Sequence, residues 1–364
     1  MFQRLHLKAG QDLDYQVLKE ASSEEPLLSI IVPVYNTDPT YLEECIQSLS
    51  RQNVEGGLEL VFVDDASTSG VLNDLLDFAD GYDNVTVLKM NENSRQGAAR
   101  NRGLEMARGG YIGYMDPDDV VSDDYYGSLM QAALETGADM VAAPYQRTDQ
   151  DLNPVEAAIV PYPVDCLGES SLQRTKEMLL VECPIISCIY RKDLLLGEGC
   201  SFPEGVSFED NPPRVFWKIG CSRLGQISNG LYLWRQHPAS TTALSKTSLK
   251  KIKDRLATSD LFLDDSKRLG CYEQYRDEID FLYGRLCLYN TMATLASGGV
   301  EGKRGLARDV SRHVRSRGLD LMRNPYIRSK PTVERLKWDL ALNHPTLFLM
   351  LWSIADFAGI GAAE

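Results

Sequence analysis

The chain has 364 residues, 43% of them hydrophobic, which is enough for an enzyme core with an appended domain and excludes general disorder. A formal net charge of −14 argues against a protein that coats nucleic-acid phosphates with lysine and arginine. Eight cysteines are scattered without CxxC pairs or the tight ladder of a small secreted scaffold, so reduced, buried thiols in a cytoplasmic protein are expected.

Residues 1–26 mix charged and apolar residues and hold no hydrophobic run with a small-residue cleavage site, so they read as an extension and not as a secretion signal. Residues 27–35 (LLSIIVPVY) form a continuous apolar run, the pattern of a strand buried on both faces of a parallel sheet. Leu42, Cys45, Ile46 and Leu49 then recur at helical spacing within 41–50, and 58–63 (LELVFV) reads as the next strand. The alternation continues with a helix over 71–79, a strand over 85–88, a helix over 96–107, a strand over 111–115, a helix over 125–134 and a strand over 139–143. Such alternation specifies a doubly wound α/β sheet with helices on both faces.

Ligands of these sheets bind beyond the carboxyl ends of the strands. Three strands end there in polar segments: Asn36-Thr37-Asp38, Asp64-Asp65-Ala66-Ser67-Thr68 and Asp116-Pro117-Asp118-Asp119. Neither GxGxxG after Tyr35 nor GxxxxGK[ST] is present, so phosphates bound at this edge need a cation to neutralise them. Asp116 and Asp118 flank a proline that fixes the backbone between them, which allows both to approach one hard cation, Mg²⁺ or Mn²⁺. Capping of the following helix by the same aspartates is the competing reading.

LLSIIVPVYN, LELVFVDDAST and RQGAARNRGLEMARGGYIGYMDPDD, in that order, resemble family 2 of the glycosyltransferases, which has the Rossmann-like GT-A fold; the similarity covers about 27–143 and resumes over 202–242. It implies an inverting transfer of sugar from a UDP-sugar to a hydroxyl of a carbohydrate, glycan-polymer or lipid-linked acceptor, in the manner of bacterial surface-polysaccharide or teichoic-acid-type enzymes. Pro33, Tyr35 and Asp65 then hold the nucleobase, the ring stacking and the carboxylate accepting the uracil N3 proton. Arg100 approaches the base and diphosphate, with Asn91 beside it. Asp116 serves the ribose and the surroundings of the metal, and Asp118 coordinates the metal directly.

Downstream, FPEGVSFEDNPPRVFWKIG makes Asp210 the general base by the same resemblance, with Glu209 orienting the acceptor or tuning its neighbour. In LYLWRQHPASTT the resemblance takes His237 to the metal or diphosphate and lets Arg235 and Ser240 contact phosphate. A histidine beside carboxylates suits Mn²⁺ somewhat better than Mg²⁺. His6, His313 and His344 are expected to be structural. Two features depart from the family pattern: Ala66 stands where glycine is usual, tolerable if the turn needs no positive φ, and 143–165 is an insertion with little periodicity, assigned to the acceptor side.

The expected organisation is an extension over 1–26, a GT-A catalytic domain over 27–243 and a helical domain over 244–364. Between 303 and 337 there are eleven Lys or Arg against three acids, and Arg304, Arg308, Arg312 and Arg315 share one helical face. The apolar stretch 347–363 is at the short limit for crossing a bilayer and carries Asp356, so it is read as non-spanning. Peripheral attachment to the inner face of an anionic membrane, contact with acceptor, homo-oligomerisation, and a plain solvated face all remain open for this domain, and no nucleic-acid partner is expected. Two alternative functions compete. IGYMDPDDV also fits the DxDx[TV] motif of haloacid-dehalogenase-like phosphatases, with Asp116 as nucleophile and Asp118 as acid/base, but it follows the fourth strand where that motif normally follows the first. An inactive sugar-nucleotide-binding scaffold is the other.

Overall fold

The computed structural model describes residues 13–237 and 248–357, with side chains described as far as 352. The chain divides into two compact units, one comprising residues up to 205 together with 213–236, the other comprising 206–212 together with the chain from 237 onward.

The first unit is built on a nine-stranded sheet. Its strands are β1 (Tyr15–Lys19), β2 (Leu28–Val34), β3 (Leu58–Asp64), β4 (Val85–Met90), β5 (Tyr111–Tyr114), β7 (Met140–Ala142), β9 (Gly168–Glu169), β10 (Cys188–Arg191) and β11 (Arg223–Gln226). Their order is β1-β4-β3-β2-β5-β10-β7-β11-β9. Strands β4, β3, β2 and β5 are parallel, and all seven residues of β2 are buried, as its unbroken apolar run requires. The expected parallel core is therefore present, but the sheet is mixed: antiparallel β10 lies between β5 and β7, and antiparallel β1 extends the other edge from within the expected N-terminal extension.

Helices α1 (Pro39–Ser50), α2 (Val71–Asp80), α3 (Arg95–Met106) and α4 (Tyr125–Thr136) follow β2, β3, β4 and β5 in the chain. Asp38 caps α1, its carboxylate accepting the Thr40 N–H at 2.9 Å. Gly103 lets α3 lie close on the sheet, since a Cβ there would fall 2.4 Å from Cγ2 of Ile31. At the amino ends of the strands, buried Glu59 accepts the Ser29 hydroxyl at 2.6 Å and the Arg108 Nε–H at 2.7 Å, which ties β2, β3 and the end of α3 together.

A second sheet of three strands has the order β6-β12-β8, with β6 at Val120–Val121, β8 at Tyr145–Thr148 and β12 at Tyr232–Arg235. The insertion 143–165 is thus structured where periodicity gave no signal: β8 pairs in parallel with β12, and Asp149 closes the turn after β8 by accepting the Asp151 and Asn153 amides at 2.9 Å each.

The second unit is helical from Leu249–Arg268 onward. Trp338 stacks on Phe281 and Tyr289 with centroid distances of 5.8 and 5.1 Å, and Gly284 leaves room for the Trp338 ring. His313 pairs with Asp260 at 2.8 Å. Among the described residues no helix is long and apolar enough to cross a membrane.

Candidate active site

Register fixes which residues share the carboxyl edge of the first unit's sheet. Val34 is opposite Asp64, and Ile31 opposite Tyr114, so Tyr35, Asp65 and Asp116 leave adjacent strands at neighbouring levels. Pro33 is buried within β2, whereas the Tyr35 side chain is 48% exposed at its end.

Asp65 is 2% exposed, and its Oδ1 accepts the Ser94 N–H at 2.7 Å at the entry to α3. Burial pushes its carboxyl above the usual carboxylate range, against the pull of the Ser94 and Arg95 amides. Asn36, absent from the sequence-based site, organises the loop after β3: its side-chain oxygen accepts the Thr68 and Ser69 amides at 2.8 and 3.0 Å. The Ala66 turn does need a positive φ, +56°, a backbone region in which an L side chain is strained. Asn91, expected beside Arg100, bonds to the segment before β1. Its side chain donates to the Leu13 carbonyl at 2.9 Å and its backbone N–H to the Asp14 carbonyl at 2.8 Å, fastening the segment that enters β1.

Arg100 lies on α3 and is buried, with its guanidinium 2.8 Å from Asp116 Oδ1, so it forms an interior ion pair with the first aspartate of DPDD. The other two aspartates diverge. Asp118 is half-buried, whereas Asp119 is fully buried, accepting the Tyr232 hydroxyl at 2.7 Å and the Arg235 N–H at 2.8 Å. Burial and the neighbouring charges of Asp118 and Asp116 push the Asp119 carboxyl far upward.

Arg235 is 2% exposed: its Nε donates to the Asp118 carbonyl at 2.8 Å, its terminal nitrogens reach the Gln150 carbonyl and Glu44, and its guanidinium lies 4.3 Å from the centre of the Tyr41 ring. These bonds make Arg235, from which a phosphate contact is expected, a strut for the backbone of the DPDD turn. Strand β12 supplies both Tyr232 and Arg235, so the three-stranded sheet is the platform on which this turn sits.

Glu209, Asp210 and His237 belong to the second unit, and Ser240 lies outside the described residues. The 206–212 loop is held there by the helix Leu249–Arg268. Asp254 accepts the Ser207 N–H at 3.1 Å, and the Arg255 guanidinium lies 4.4 Å from the Phe208 ring centre while donating to the Thr294 hydroxyl at 3.0 Å. Burial lowers Arg255 to about 10. Phe208 adopts φ +63°, a costly conformation for a bulky residue that immediately precedes the two carboxylates. Glu209 is 7% exposed, whereas Asp210 and His237 are half-buried. Asp254 and Arg255 carried no sequence motif; only helical periodicity marked their segment.

Two carboxylates at a strand end fit Mg²⁺ or Mn²⁺ when the ligand supplies phosphate oxygens, because such ions are held by one or two protein carboxylates plus substrate. Among the described residues no three or more His, Cys, Asp or Glu side chains are grouped to hold a metal by themselves.

Residues 29–194 match the family described as glycosyl transferase family 2. The uncharacterized glycosyltransferase EpsJ of Bacillus subtilis is 30% identical over 226 residues, which cover 60% of this chain and 64% of that protein. The putative glycosyltransferase EpsH of the same organism is 28% identical, covering 75% of this chain and 80% of its own length. Among solved structures, Staphylococcus aureus TarS 1–349 superposes with a TM-score of 0.63 at 18% identity over 91% of both chains, which establishes likeness of fold. A complex of the same TarS fragment with UDP-GlcNAc gives a TM-score of 0.59 at 18% identity over 91% of this chain and 92% of that one. With this family match, the phosphatase alternative for Asp116 and Asp118 is set aside.

Proposed function

From the match of residues 29–194 to glycosyl transferase family 2 and the likeness to named glycosyltransferases, we propose that the chain is a transferase of this family that moves a sugar from a UDP-sugar to a hydroxyl of a carbohydrate, glycan-polymer or lipid-linked acceptor, with inversion. The observation that carries this reading is the convergence of Tyr35, Asp65, the Arg100–Asp116 pair and Asp118 at one carboxyl edge of the sheet. The exposed Tyr35 ring offers a face for uracil, and the Asp65 carboxylate an acceptor for its N3–H. Pro33 is a backbone element beneath them. Asn91 and Arg235 are reassigned as supports of the site's frame.

Asp118, aided by Asp116 and His237, would hold Mn²⁺ or Mg²⁺, and the ion when bound would offset the negative charge that builds on the leaving diphosphate. Arg100 orients Asp116 by donating to its Oδ1 at 2.8 Å. Asp210 takes the proton from the acceptor hydroxyl as it attacks the anomeric carbon, and it is more accessible than Glu209 beside it. A direct attack needs no covalent intermediate and inverts the anomeric centre. All eight cysteines are free, in keeping with work in the reducing cytoplasm. EpsJ and EpsH carry no named substrate, whereas a further relative, TuaG of Bacillus subtilis, 30% identical over 37% of this chain and 53% of its own length, is named a putative teichuronic acid biosynthesis enzyme. A cell-surface polymer is therefore the acceptor class we favour.

The test is UDP release from a panel of UDP-sugars with acceptor, in the presence of Mn²⁺, Mg²⁺ or a chelator. Metal-dependent release supports the transferase reading. UDP binding without turnover on any pairing favours the inactive scaffold.

A further inference from the structure

The second unit carries a cationic cleft whose lining includes none of the residues assigned to transfer. The helix Lys303–Ser316 buries Ala307, Val310, Ser311 and Val314 and leaves Arg308, Arg312 and Arg315 exposed. Spacings of four and three residues put these guanidiniums in one row. They line a cleft of about 440 Å³ whose opposite wall includes His344, Thr346 and Leu347, where the helix Pro345–Phe357 begins. None of the lining residues is a carboxylate. Among the described residues Arg308 and Arg315 have no acidic partner, and the Arg312–Asp309 pair at 2.9 Å is exposed on both sides, so it is weak. In a chain of net charge −14, a row of arginines in a cleft lined by no carboxylate is a local concentration of positive potential.

The same wall continues into an apolar face. Leu347, Met350 and Leu351 are 44–45% exposed and lie on one side of their helix, while Phe348 and Leu349 on the other side are buried. A free phosphate would use the arginines and leave these three side chains in water. A lipid surface answers both features, with head-group phosphates at the arginines and the acyl boundary at the apolar residues.

We propose that the Arg308–Arg312–Arg315 cleft, with Leu347, Met350 and Leu351 beside it, is a docking surface for an anionic phospholipid membrane. Docking at this surface is independent of the assignments of base and metal. The full chain is sedimented with phosphatidylglycerol-containing vesicles and with pure phosphatidylcholine vesicles over a range of salt. Binding is expected on the anionic vesicles alone and falls as ionic strength rises. The triple variant Arg308→Gln, Arg312→Gln, Arg315→Gln should bind about 100-fold more weakly, from about fivefold per lost arginine. Leu347→Ser with Leu351→Ser should weaken binding about tenfold at high salt as well as low. If the triple variant melts early, the single substitutions Arg308→Gln and Arg315→Gln replace it, each expected to lose about fivefold. Unchanged vesicle binding by the glutamine variants overturns the proposal. So does loss of vesicle binding to millimolar inorganic phosphate at constant ionic strength, which would assign the cleft to a free phosphate.

Discussion

Within DPDD, Asp119 takes the Tyr232 hydroxyl and the Arg235 amide in the interior, while half-buried Asp118 gives its backbone carbonyl to the Arg235 guanidinium. Substitution should separate the two. Asp119→Ala leaves two buried donors without an acceptor and should cost about 2–4 kcal/mol of stability, read from denaturant midpoints. Asp118→Ala, at a half-buried position, should shift the midpoint by less than Asp119→Ala does, yet abolish the dependence of UDP affinity on Mn²⁺. Asp65 gives a pH test. Because burial raises its carboxyl, it protonates at a higher pH than an exposed aspartate and, in the proposed role, would then no longer accept from uracil. UDP affinity should therefore fall, on acidification, sooner than an ordinary carboxylate would predict, and Asp65→Asn should flatten that profile. The sign for stability is opposite: a raised folded-state pKa favours folding at acid pH and the contribution is lost as pH rises through it. At Ala66, φ +56° costs about 1–2 kcal/mol for an L residue, partly offset by the extra unfolded-state freedom of glycine. Ala66→Gly should thus stabilise the protein by about 0.5–1 kcal/mol in the same melts.

Among the elements, the long apolar runs were legible. Strands β2, β3, β4 and β5 and helices α1 to α4 lie within a few residues of their predicted positions, because each carries a period that burial enforces. What periodicity missed is short or depends on a distant partner. Strand β10 has four residues, and its place between β5 and β7 is a property of the sheet and not of CIYR itself. Strand β8 is equally short, and its pairing with β12 is what makes the insertion part of the site's platform. The motif aspartates were legible because their spacing is local. Asn36, Asp119 and the turned-in Arg235 were not, because their partners lie 31 to 191 residues away in sequence.

For the molecule as a whole, the predicted boundary at 243/244 left all the chemistry in front of the helical domain, whereas the compact units put the 206–212 loop, with Glu209 and Asp210, in the helical one. The loop's support there is specific: the Asp254 carboxylate on the Ser207 amide and the Arg255 guanidinium against Phe208, whose strained backbone persists only while its surroundings hold it. Arg255→Ala should therefore lower transfer by about 10–10² while leaving UDP affinity within about twofold, since no nucleotide-side residue is touched. Its pH–rate profile should keep the wild-type shape at a lower plateau, because the proposed base, Asp210, is misplaced and not removed. Asp210→Asn should instead cost about 10²–10⁴ in transfer, again with UDP binding retained. A chain ending at 236 lacks the Asp254 and Arg255 supports of the loop and should bind UDP without measurable transfer. Calorimetric titration with UDP beside a UDP-release assay reads both quantities on the same preparations. Transfer by the truncated chain at the full-length rate would place the base within the first unit and remove the helical unit from the chemistry.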